Sequence, residues 1–188
     1  MGILPAPDRS GAERIFDMSN SEEKKILDVT CAARSIWFDK HHPSVIYCDK
    51  RSGTFEKNFG KNHGGIKTLH IEPDVQCDFT SLPFDNEQFS LVVFDPPHMS
   101  RLTETSWIRA AYGNLEGDWH KMIRDGFHEC MRVLKNDGVL IFKWSSIEFS
   151  TSEVIDAIGI RPLFGHHSGK KSNTHWLCFM KGVSNEDQ

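Results

Sequence analysis

The sequence lacks the signatures of several large classes of protein. It contains no apolar run long enough to cross a membrane, and its N-terminal residues lack the apolar stretch of a secretory signal. The five cysteines form no CxxC pair and the ten histidines form no HExxH pattern, so we predict no metal site. Dispersed cysteines within apolar runs are typical of a reducing compartment, which favours a cytoplasmic protein with no membrane partner.

Positive charge is also scarce. With 22 basic and 26 acidic side chains the formal net charge is −4, so the chain has no global positive field with which to wrap nucleic acid. A local basic patch is compatible with this charge. The segment HHSGKKSNTH, which carries Lys170 and Lys171, is a candidate contact for a phosphate backbone, and a solvated hairpin is the alternative.

The sequence does contain a regular alternation of short apolar runs and amphipathic stretches. Apolar residues at helical spacing predict one helix in DWHKMIRDGFHECMRVL, with Asp118 as N-cap, and a second in TSEVIDAIG, capped by Thr151 or Ser152. Continuous apolar runs predict strands buried on both faces, and a weaker seventh run lies at 161–165. The six clear runs are KKILDVT, SVIYCD, DVQCDF, SLVVFDPP, GVLIFKW and THWLCFMK.

This alternation predicts a single α/β domain with a doubly wound, mostly parallel, seven-stranded sheet. We place the domain at residues 23–182, after a lead-in at 1–22 and before a frayed tail at 183–188. Trp37 and Phe38 are expected on a short amphipathic helix after the first strand, as core residues rather than site residues.

An aspartate closes each of the first four predicted strands, and a Lys-Trp pair closes the fifth. Because the carboxyl ends of parallel strands meet at one edge of a sheet, these residues are expected to share a ligand. Any single acid is explained equally well as a helix cap or a turn residue, so the hypothesis depends on the whole set. Its members are Asp28, Asp49, Asp78, Asp95, Lys143 and Trp144.

The spacing of the first two acids favours a nucleoside ligand. Asp49 lies 21 residues after Asp28, close to the separation at which a carboxylate meets a ribose diol. The turn after Asp28 contains no glycine, so we expect it to lack freedom at positive φ and to disfavour a pyrophosphate. Small residues at 31–33 still allow a ligand to lie close to the backbone.

The stretch LVVFDPPHMS ends a predicted strand on Asp95-Pro96-Pro97-His98. Proline has no backbone N–H and fixes φ, and each residue before a proline is pushed toward extended geometry. The turn is therefore expected to be stiff and extended, and to present a carboxylate, carbonyl oxygens and one ring. Such a turn is suited to holding a flat polar group.

These stretches resemble the class I S-adenosylmethionine (AdoMet) methyltransferases. DFTSLPFDNEQFSLVVFDPPH is similar to the family's third and fourth strands, GFHECMRVLKNDGVLIFKW to the next helix and strand, and DPPH to the Asp/Asn-Pro-Pro-aromatic motif of enzymes that methylate planar amino nitrogens. More narrowly, ILDVTCAARSIWFDKHHPSVIYCDKR with SGKKSNTHWLCFMK resembles compact phage and prophage DNA N6-adenine or N4-cytosine methyltransferases. The resemblance covers about residues 24–182 and departs from the family at Ala32 and Ala33, where glycine is usual, and at His98.

The resemblance implies a Rossmann-like, AdoMet-dependent N-methyltransferase that acts on adenine N6, or cytosine N4, in nucleic acid. It implies that Asp95 and Pro96 hold the amino group in a catalytic turn completed by Pro97 and His98, with His98 stacking on the substrate ring. Its implied cofactor contacts are Asp28, Thr30, Cys31, Ala32, Asp49, Asp78, Phe79 and Asp95. Substrate contacts are expected from the segment 99–117, as a loop that grips a flipped-out base, and from nearby side chains. These substrate residues are Arg101, Tyr112, Lys143, Trp144, Lys170 and Lys171.

Two alternatives stay open from the sequence. The same chemistry could act on a small molecule or a protein amide, which the acidic net charge favours. The missing glycines instead favour a non-catalytic protein that binds AdoMet. A chain of 188 residues leaves little room for a target-recognition domain, so recognition is expected to be short, or to come from a homodimer or a partner subunit.

Overall fold

The computed structural model describes residues 24–60, 65–166 and 172–183. The lead-in expected at 1–22 and most of the expected tail therefore lie outside the described residues. In chain order the elements are β1 (Ile26–Asp28), β2 (Val45–Asp49), β3 (Gly53–Asn58), β4 (Ile66–Ile71), β5 (Val75–Gln76), β6 (Phe89–Phe94), α1 (Trp107–Tyr112), α2 (Trp119–Val133), β7 (Leu134–Ser145), α3 (Thr151–Ile158) and β8 (Thr174–Met180).

Six strands of the described residues form the main sheet, in the order β5-β2-β1-β6-β7-β8. Neighbouring strands are parallel except for β7 and β8, and the winding reverses at β1, which has β2 on one side and β6 on the other. This order confirms the predicted doubly wound, mostly parallel α/β sheet. The carboxyl ends of the parallel strands consequently share one edge, where open α/β sheets bind their ligands.

The prediction of a seventh strand is wrong for the part of the chain that the structure describes. Residues 161–165 make a single antiparallel bridge, between Phe164 and Cys178 of β8. Pro162 has no N–H with which to extend a ladder, and Gly165 passes so close to β8 that a Cβ there would overlap its backbone. The run therefore accompanies the edge of the sheet without becoming a strand.

The connections on either side of β2 also differ from expectation. Residues 29–44 form turns rather than a short helix, since Ala32 and Arg34 adopt positive φ, which a helix cannot contain. Phe38 is fully exposed, so its expected place in the core is wrong. Between β2 and β5, the strands β3 and β4 form an antiparallel hairpin whose charged, mostly exposed residues contain no continuous apolar run.

Two helices, α2 and α3, follow their sequence signals closely, whereas α1 lies in the segment 99–117 that was expected to be a loop. α2 packs against β6, β7 and α3. Asp118 is its N-cap, as predicted, and accepts a hydrogen bond from Lys121 N. The N-cap of α3 is Ser150 rather than Thr151 or Ser152, because Ser150 forms a reciprocal capping box with Glu153. None of the helices within the described ranges is both long and apolar enough to span a bilayer.

Gly126 sets the distance between α2 and the sheet. A Cβ at this position would overlap the Phe79 ring and would lie 3.0 Å from Phe94 Cζ. The absence of a side chain therefore lets α2 pack closely over the residues that follow β5 and over the end of β6. This packing brings the N-terminal half of α2 to the carboxyl edge of the sheet.

Replacing Gly126 by alanine tests this close approach. Alanine gains up to about 1 kcal/mol of helix propensity, but overpacking of a filled core costs about 1–3 kcal/mol, so we expect a net loss of unfolding free energy. Urea unfolding measures the difference. His128→Ala, at an exposed position of the same helix, should stay within about 0.5 kcal/mol of the parent. A Gly126→Ala protein as stable as the parent would contradict the proposed packing.

Candidate functional site

A cavity of about 730 Å³ opens at the carboxyl edge of the sheet. Its volume lies within the range of about 300–1,000 Å³ that is usual for small-molecule sites. The wall is formed by the ends of β1, β2 and β6, the residues after β5, the segment 109–118 and the first turns of α2. Seven carboxylates and four cationic side chains line it, so the lining carries an excess of negative charge. The carboxylates are Asp28, Asp49, Asp78, Asp95, Glu116, Asp118 and Asp125, and the cations are Lys50, Arg51, Arg109 and Lys121.

Most of the residues expected at the site line this cavity. The four residues of the Asp-Pro-Pro-His turn are among them, as are all eight residues expected to contact a cofactor and Tyr112 from the substrate set. Lys143 reaches the site only through Asp95, and Arg101 and Trp144 do not line the cavity. Lys170 and Lys171 lie outside the described residues.

Asp28, the last residue of β1, is buried beneath the cavity. Its two carboxylate oxygens accept hydrogen bonds from Trp37 Nε1 at 2.6 Å and from Thr30 N at 3.1 Å. Burial raises the pKa of Asp28 to about 7 in spite of these two donors. Asp28 therefore organises the first turn of the site, and its carboxyl carries a proton more readily than an exposed aspartate.

Asp49, the last residue of β2, is the most heavily hydrogen-bonded acid of the cavity. Its Oδ2 accepts from Ala32 N at 2.9 Å and from Arg51 Nη2 at 3.1 Å. Its Oδ1 accepts from Arg51 N at 2.9 Å and from Arg51 Nε at 3.0 Å. The carboxylate thus joins the turn after β1 to the chain that leaves β2.

Asp78 lies two residues after β5 and is more open. Its Oδ1 accepts from the backbone and hydroxyl of Thr80, and Lys50 Nζ lies 3.0 Å from its Oδ2. Burial raises the pKa of Asp78, but the bonds from Thr80 and Lys50 outweigh this effect and lower it overall. The neighbouring Phe79 ring is buried at 5.1 Å from the Phe94 ring and forms an apolar part of the wall.

The turn after β1 adopts the conformation that glycine would favour, although it contains none. Ala32 has a φ of +45° and Arg34 a φ of +55°, so the expectation that this turn lacks positive φ is wrong. The reason is that the bond from Ala32 N to Asp49 holds the backbone in place, at a strain of about 1–2 kcal/mol. The small side chain leaves the backbone at the cavity wall.

Asp95 follows β6 and is held from two directions. Its N–H donates to Thr30 Oγ1 at 2.9 Å, and its Oδ2 accepts from Lys143 Nζ at 2.5 Å. Burial raises the pKa of Asp95, and the Lys143 ammonium is the strongest opposing influence. Among the described residues, Oδ1 has no hydrogen-bond donor, so half of this carboxylate stays available to a ligand. Lys143, which was expected to bind substrate, contacts Asp95 and does not itself line the cavity, so its contact with substrate stays a prediction.

His98 completes the turn with a ring that is short of hydrogen bonds. Its Nδ1 is buried and has no hydrogen-bond partner among the described residues. Burial lowers the pKa of His98, so the ring favours its neutral form near pH 7. The ring packs edge-on against Trp144, with centroids 6.3 Å apart. A buried nitrogen without a partner is costly, and a polar ligand group would offset that cost.

Residues 99–117, which include α1, cover one side of the cavity, and we call them the roof. The roof is tied to the segment after β2, because Arg51 Nη1 donates to the Ala110 carbonyl at 2.7 Å and Lys57 Nζ donates to the Thr105 carbonyl at 2.6 Å. The Trp107 ring also packs edge-on against Phe59, with centroids 5.9 Å apart. The β3–β4 hairpin and the roof therefore form one contiguous structure beside the cavity.

One of the expected substrate contacts, Trp144, is wrong, and a second, Arg101, lies outside the cavity. Trp144 is fully buried in the core, where its Nε1 donates to the Phe149 carbonyl, so its ring cannot reach a ligand. Trp144 lies two residues after Phe142 on β7, so both side chains take the same face of the sheet. This is the face that α2 covers. Arg101 does not line the cavity; its side chain is exposed, with its Nε 3.7 Å from Glu148, and its expected contact with substrate stays a prediction.

The structure adds residues that the sequence did not assign to the site, among them Trp37, which was expected in the core. Arg51 grips Asp49, Trp37 donates to Asp28, and Asn114 and Glu116 of the roof line the cavity. The one local sequence signal for the pair formed by Asp49 and Arg51 is a basic residue two positions after a strand-end acid. The bond from Trp37 to Asp28 depends on the path of the turns at 29–44, which no periodicity describes.

Comparison with known proteins gives information on the fold. No protein-family model matches the chain, and no curated protein matches it. The crystal structure of the PH0226 protein from Pyrococcus horikoshii OT3 is similar over 88% of this chain and 84% of that one, with 13% identity and a TM-score of 0.50. A SAM-dependent methyltransferase from Methanosarcina mazei is similar over 86% and 94%, with 12% identity and a TM-score of 0.48. The [4+2]-cyclase SpnF is similar over 78% and 55%, with 12% identity and a TM-score of 0.41.

At such low sequence identities the comparison shows a shared fold, and it does not show a shared activity. The similarity to the Pyrococcus horikoshii protein, which spans most of both chains, supports a Rossmann-like α/β fold. Function has to be argued from the residues of the site.

The positive φ of Ala32 predicts an unusual response to glycine. Ala32→Gly relieves the strained conformation, so we expect it to raise the free energy of unfolding by about 0.5–1 kcal/mol. Ala33→Gly, in the same turn but without positive φ, should lower it by about 0.4–1 kcal/mol through the greater entropy of the unfolded chain. Urea unfolding of both variants measures the contrast, and equal destabilisation by the two glycines would contradict the strained turn.

Proposed function

We propose that the protein is an AdoMet-dependent N-methyltransferase that transfers a methyl group to a planar exocyclic amino nitrogen, with adenine N6 or cytosine N4 in nucleic acid as the favoured target. The observation that carries the proposal is the Asp95–His98 turn. It follows the central strand β6 at the carboxyl edge of the sheet, lines a ligand-sized cavity, and keeps one carboxylate oxygen that receives no donor from the described residues.

The residues present fit AdoMet as the methyl donor. AdoMet combines a nucleoside with an amino-acid chain and supplies a methyl group on a positively charged sulfonium. An excess of carboxylates around the cavity favours such a cationic ligand. Asp49 at the end of β2 is the candidate for the ribose, and Asp78 with Phe79 for the adenine. The backbone of residues 30–32 would accommodate the amino-acid chain.

The turn itself would prepare the amino nitrogen for transfer. The lone pair of an exocyclic amine is delocalised into its ring, which makes the nitrogen a weak nucleophile. Asp95 Oδ1 and the Pro96 carbonyl can accept its two N–H donors and so direct the lone pair away from the ring. Because Pro96 and Pro97 lack N–H groups, neither residue offers a competing donor. The contribution of the protein is then positioning and electrostatics rather than strong base catalysis.

The other side chains of the turn would hold the substrate ring. His98 in its neutral form presents a flat face for stacking. Tyr112 of the roof lines the cavity and is partly exposed, which suits a second aromatic contact with a base. A base in a duplex has to leave the stack to reach Asp95, and the roof is the structure placed to hold it.

A second candidate, methylation of a small molecule, is favoured by the engagement of Arg109 within the roof. Arg101 lies beside Glu148, while the Arg109 guanidinium donates to the Leu102 carbonyl and to Glu116 at 3.2 Å. The Arg109 guanidinium is therefore engaged within the roof, whereas the Arg101 guanidinium is largely exposed and keeps donors for a phosphate. Salt separates the two candidates, because nucleic-acid binding weakens steeply as salt rises and binding of an uncharged small molecule does not.

The decisive experiment compares cells that express the parent protein with cells that express Asp95→Ala. Mass spectrometry of their nucleosides should show a methylated adenosine or cytidine species only with the parent, and labelled methyl transfer in vitro should fall by about 100-fold or more. Asp156→Ala, at an exposed site on α3, serves as the matched control and should behave as the parent. No transfer by the parent to DNA, RNA, free bases or small amines would refute the proposal.

The pair formed by Asp95 and Lys143 predicts a shift in the pH dependence of the reaction. Burial raises the pKa of Asp95 and Lys143 holds it down, so activity should fall as the pH drops through this pKa and the carboxylate is protonated. In Lys143→Met the acidic limb of the kcat/KM profile should move to higher pH, and in Lys143→Arg it should stay close to that of the parent.

Asp95→Asn provides the control for this profile. It keeps an acceptor oxygen but cannot titrate, so it should lose the acidic limb altogether. An unchanged acidic limb in Lys143→Met would show that Lys143 serves the fold rather than the reaction.

A further inference from the structure

Asp49 has no spare capacity for a new hydrogen bond. A carboxylate offers about four acceptor positions, and four donors occupy those of Asp49. Two are backbone N–H groups, from Ala32 and Arg51, which are fixed by the turns around β1 and β2. The other two are Nε and Nη2 of the Arg51 guanidinium, which grip both oxygens as a fork.

The same guanidinium also holds the roof. Its Nη1 donates to the Ala110 carbonyl of α1 at 2.7 Å and lies 3.5 Å from the Arg109 carbonyl. Arg51 itself is partly exposed at the cavity wall, whereas Asp49 is almost fully buried. One side chain therefore bridges the floor of the cavity, at Asp49, and its roof, at α1.

The Arg51 guanidinium and a bound ribose would need the same oxygens of Asp49. A ribose diol donates two hydrogen bonds. Of the four donors that the described residues supply to Asp49, the two that can leave without moving the backbone belong to the Arg51 side chain. The guanidinium and the diol are thus alternatives at the same oxygens. A side chain that swings away from Asp49 also gives up the geometry from which it reaches Ala110.

We propose that Arg51 is a positioning residue that occupies the ribose-binding oxygens of Asp49 and is displaced by the diol of the cofactor, which at the same time unties the roof. The inference rests on the proposed function, because it takes Asp49 to be the acid that receives the ribose. Cofactor binding is then coupled to the release of α1, and the roof becomes free to receive the target after the cofactor has bound.

Removal of Arg51 is expected to raise the affinity for the ligand, whereas removal of a residue in a binding cavity usually lowers it. Loss of a residue that contacts a ligand weakens binding, but loss of a competitor strengthens it. Arg51→Met should therefore bind S-adenosylhomocysteine about fivefold more tightly than the parent, the factor that corresponds to an ion pair worth about 1 kcal/mol. The 2′,3′-dideoxy analogue of S-adenosylhomocysteine has no diol to compete, so its affinity should be the same in the two proteins.

The test is calorimetric titration of both ligands into four proteins: the parent, Arg51→Met, Arg51→Lys and Lys57→Met. Arg51→Lys keeps the charge but loses the fork, and its affinity for S-adenosylhomocysteine should lie between those of the parent and Arg51→Met. Lys57→Met is the matched control, since it unties the roof at Thr105 without touching Asp49, and it should show no diol-specific gain. Thermal unfolding of each protein alone establishes that it is folded.

The outcomes separate this inference from the proposed function. Diol-specific tightening in Arg51→Met supports the inference. Equal or weaker binding of S-adenosylhomocysteine by Arg51→Met, with clear binding by the parent, overturns the inference and leaves the proposed function standing. Failure of all four folded proteins to bind S-adenosylhomocysteine overturns both. A gain of equal size for the dideoxy analogue also overturns the inference, because the competition would then not involve the diol.

Hydrogen exchange of α1 provides a readout of the coupling itself. In the parent protein, saturating S-adenosylhomocysteine should speed exchange of the α1 amides relative to the saturating dideoxy analogue, because only the former releases Arg51 from Asp49 and Ala110. In Arg51→Met the two ligands should give equal exchange. Equal exchange in the parent protein would show that the roof is not coupled to the diol.

Discussion

The site depends on the gathering of carboxylates at one edge of a parallel sheet. Because β1, β2 and β6 run in the same direction, Asp28, Asp49 and Asp95 all reach that edge, partly or fully out of water. Like charges that are desolvated together are unfavourable unless each has its own donors. The turns, the tryptophan, the arginine and the lysine around the cavity supply those donors, and they decide what each acid can still do.

The donors divide the acids into different roles. Asp28 has both oxygens engaged and carries a raised pKa, so it shapes the first turn. The acceptor positions of Asp49 are occupied by backbone N–H groups and by the Arg51 side chain, which can move away. Asp95 keeps one oxygen without a donor in the described structure, while Lys143 opposes the effect of burial on its pKa. Acids that look equivalent in the sequence are therefore distinguished by their hydrogen-bond partners.

The sequence predicts the periodic parts of the fold and the residues placed at strand ends. The strands formed by apolar runs, the doubly wound class of the sheet and the N-cap Asp118 follow from local pattern, and the strand-end acids line one cavity as expected. The β3–β4 hairpin escaped prediction because its charged residues show no apolar run. The partners of the acids escaped because they depend on long-range geometry, and Trp144 was misplaced because a strand-end position does not reveal which face a side chain takes.

The central claim is that the cavity is an AdoMet site whose reactive end lies at the Asp-Pro-Pro-His turn. A crystal structure of the protein with bound S-adenosylhomocysteine tests it most directly. We predict that the ribose hydroxyls lie within hydrogen-bond distance of Asp49, the adenine beside Phe79, and the sulfur on the side of the cavity that faces Asp95. A ligand bound elsewhere, or bound here with its sulfur turned away from Asp95, would contradict the account.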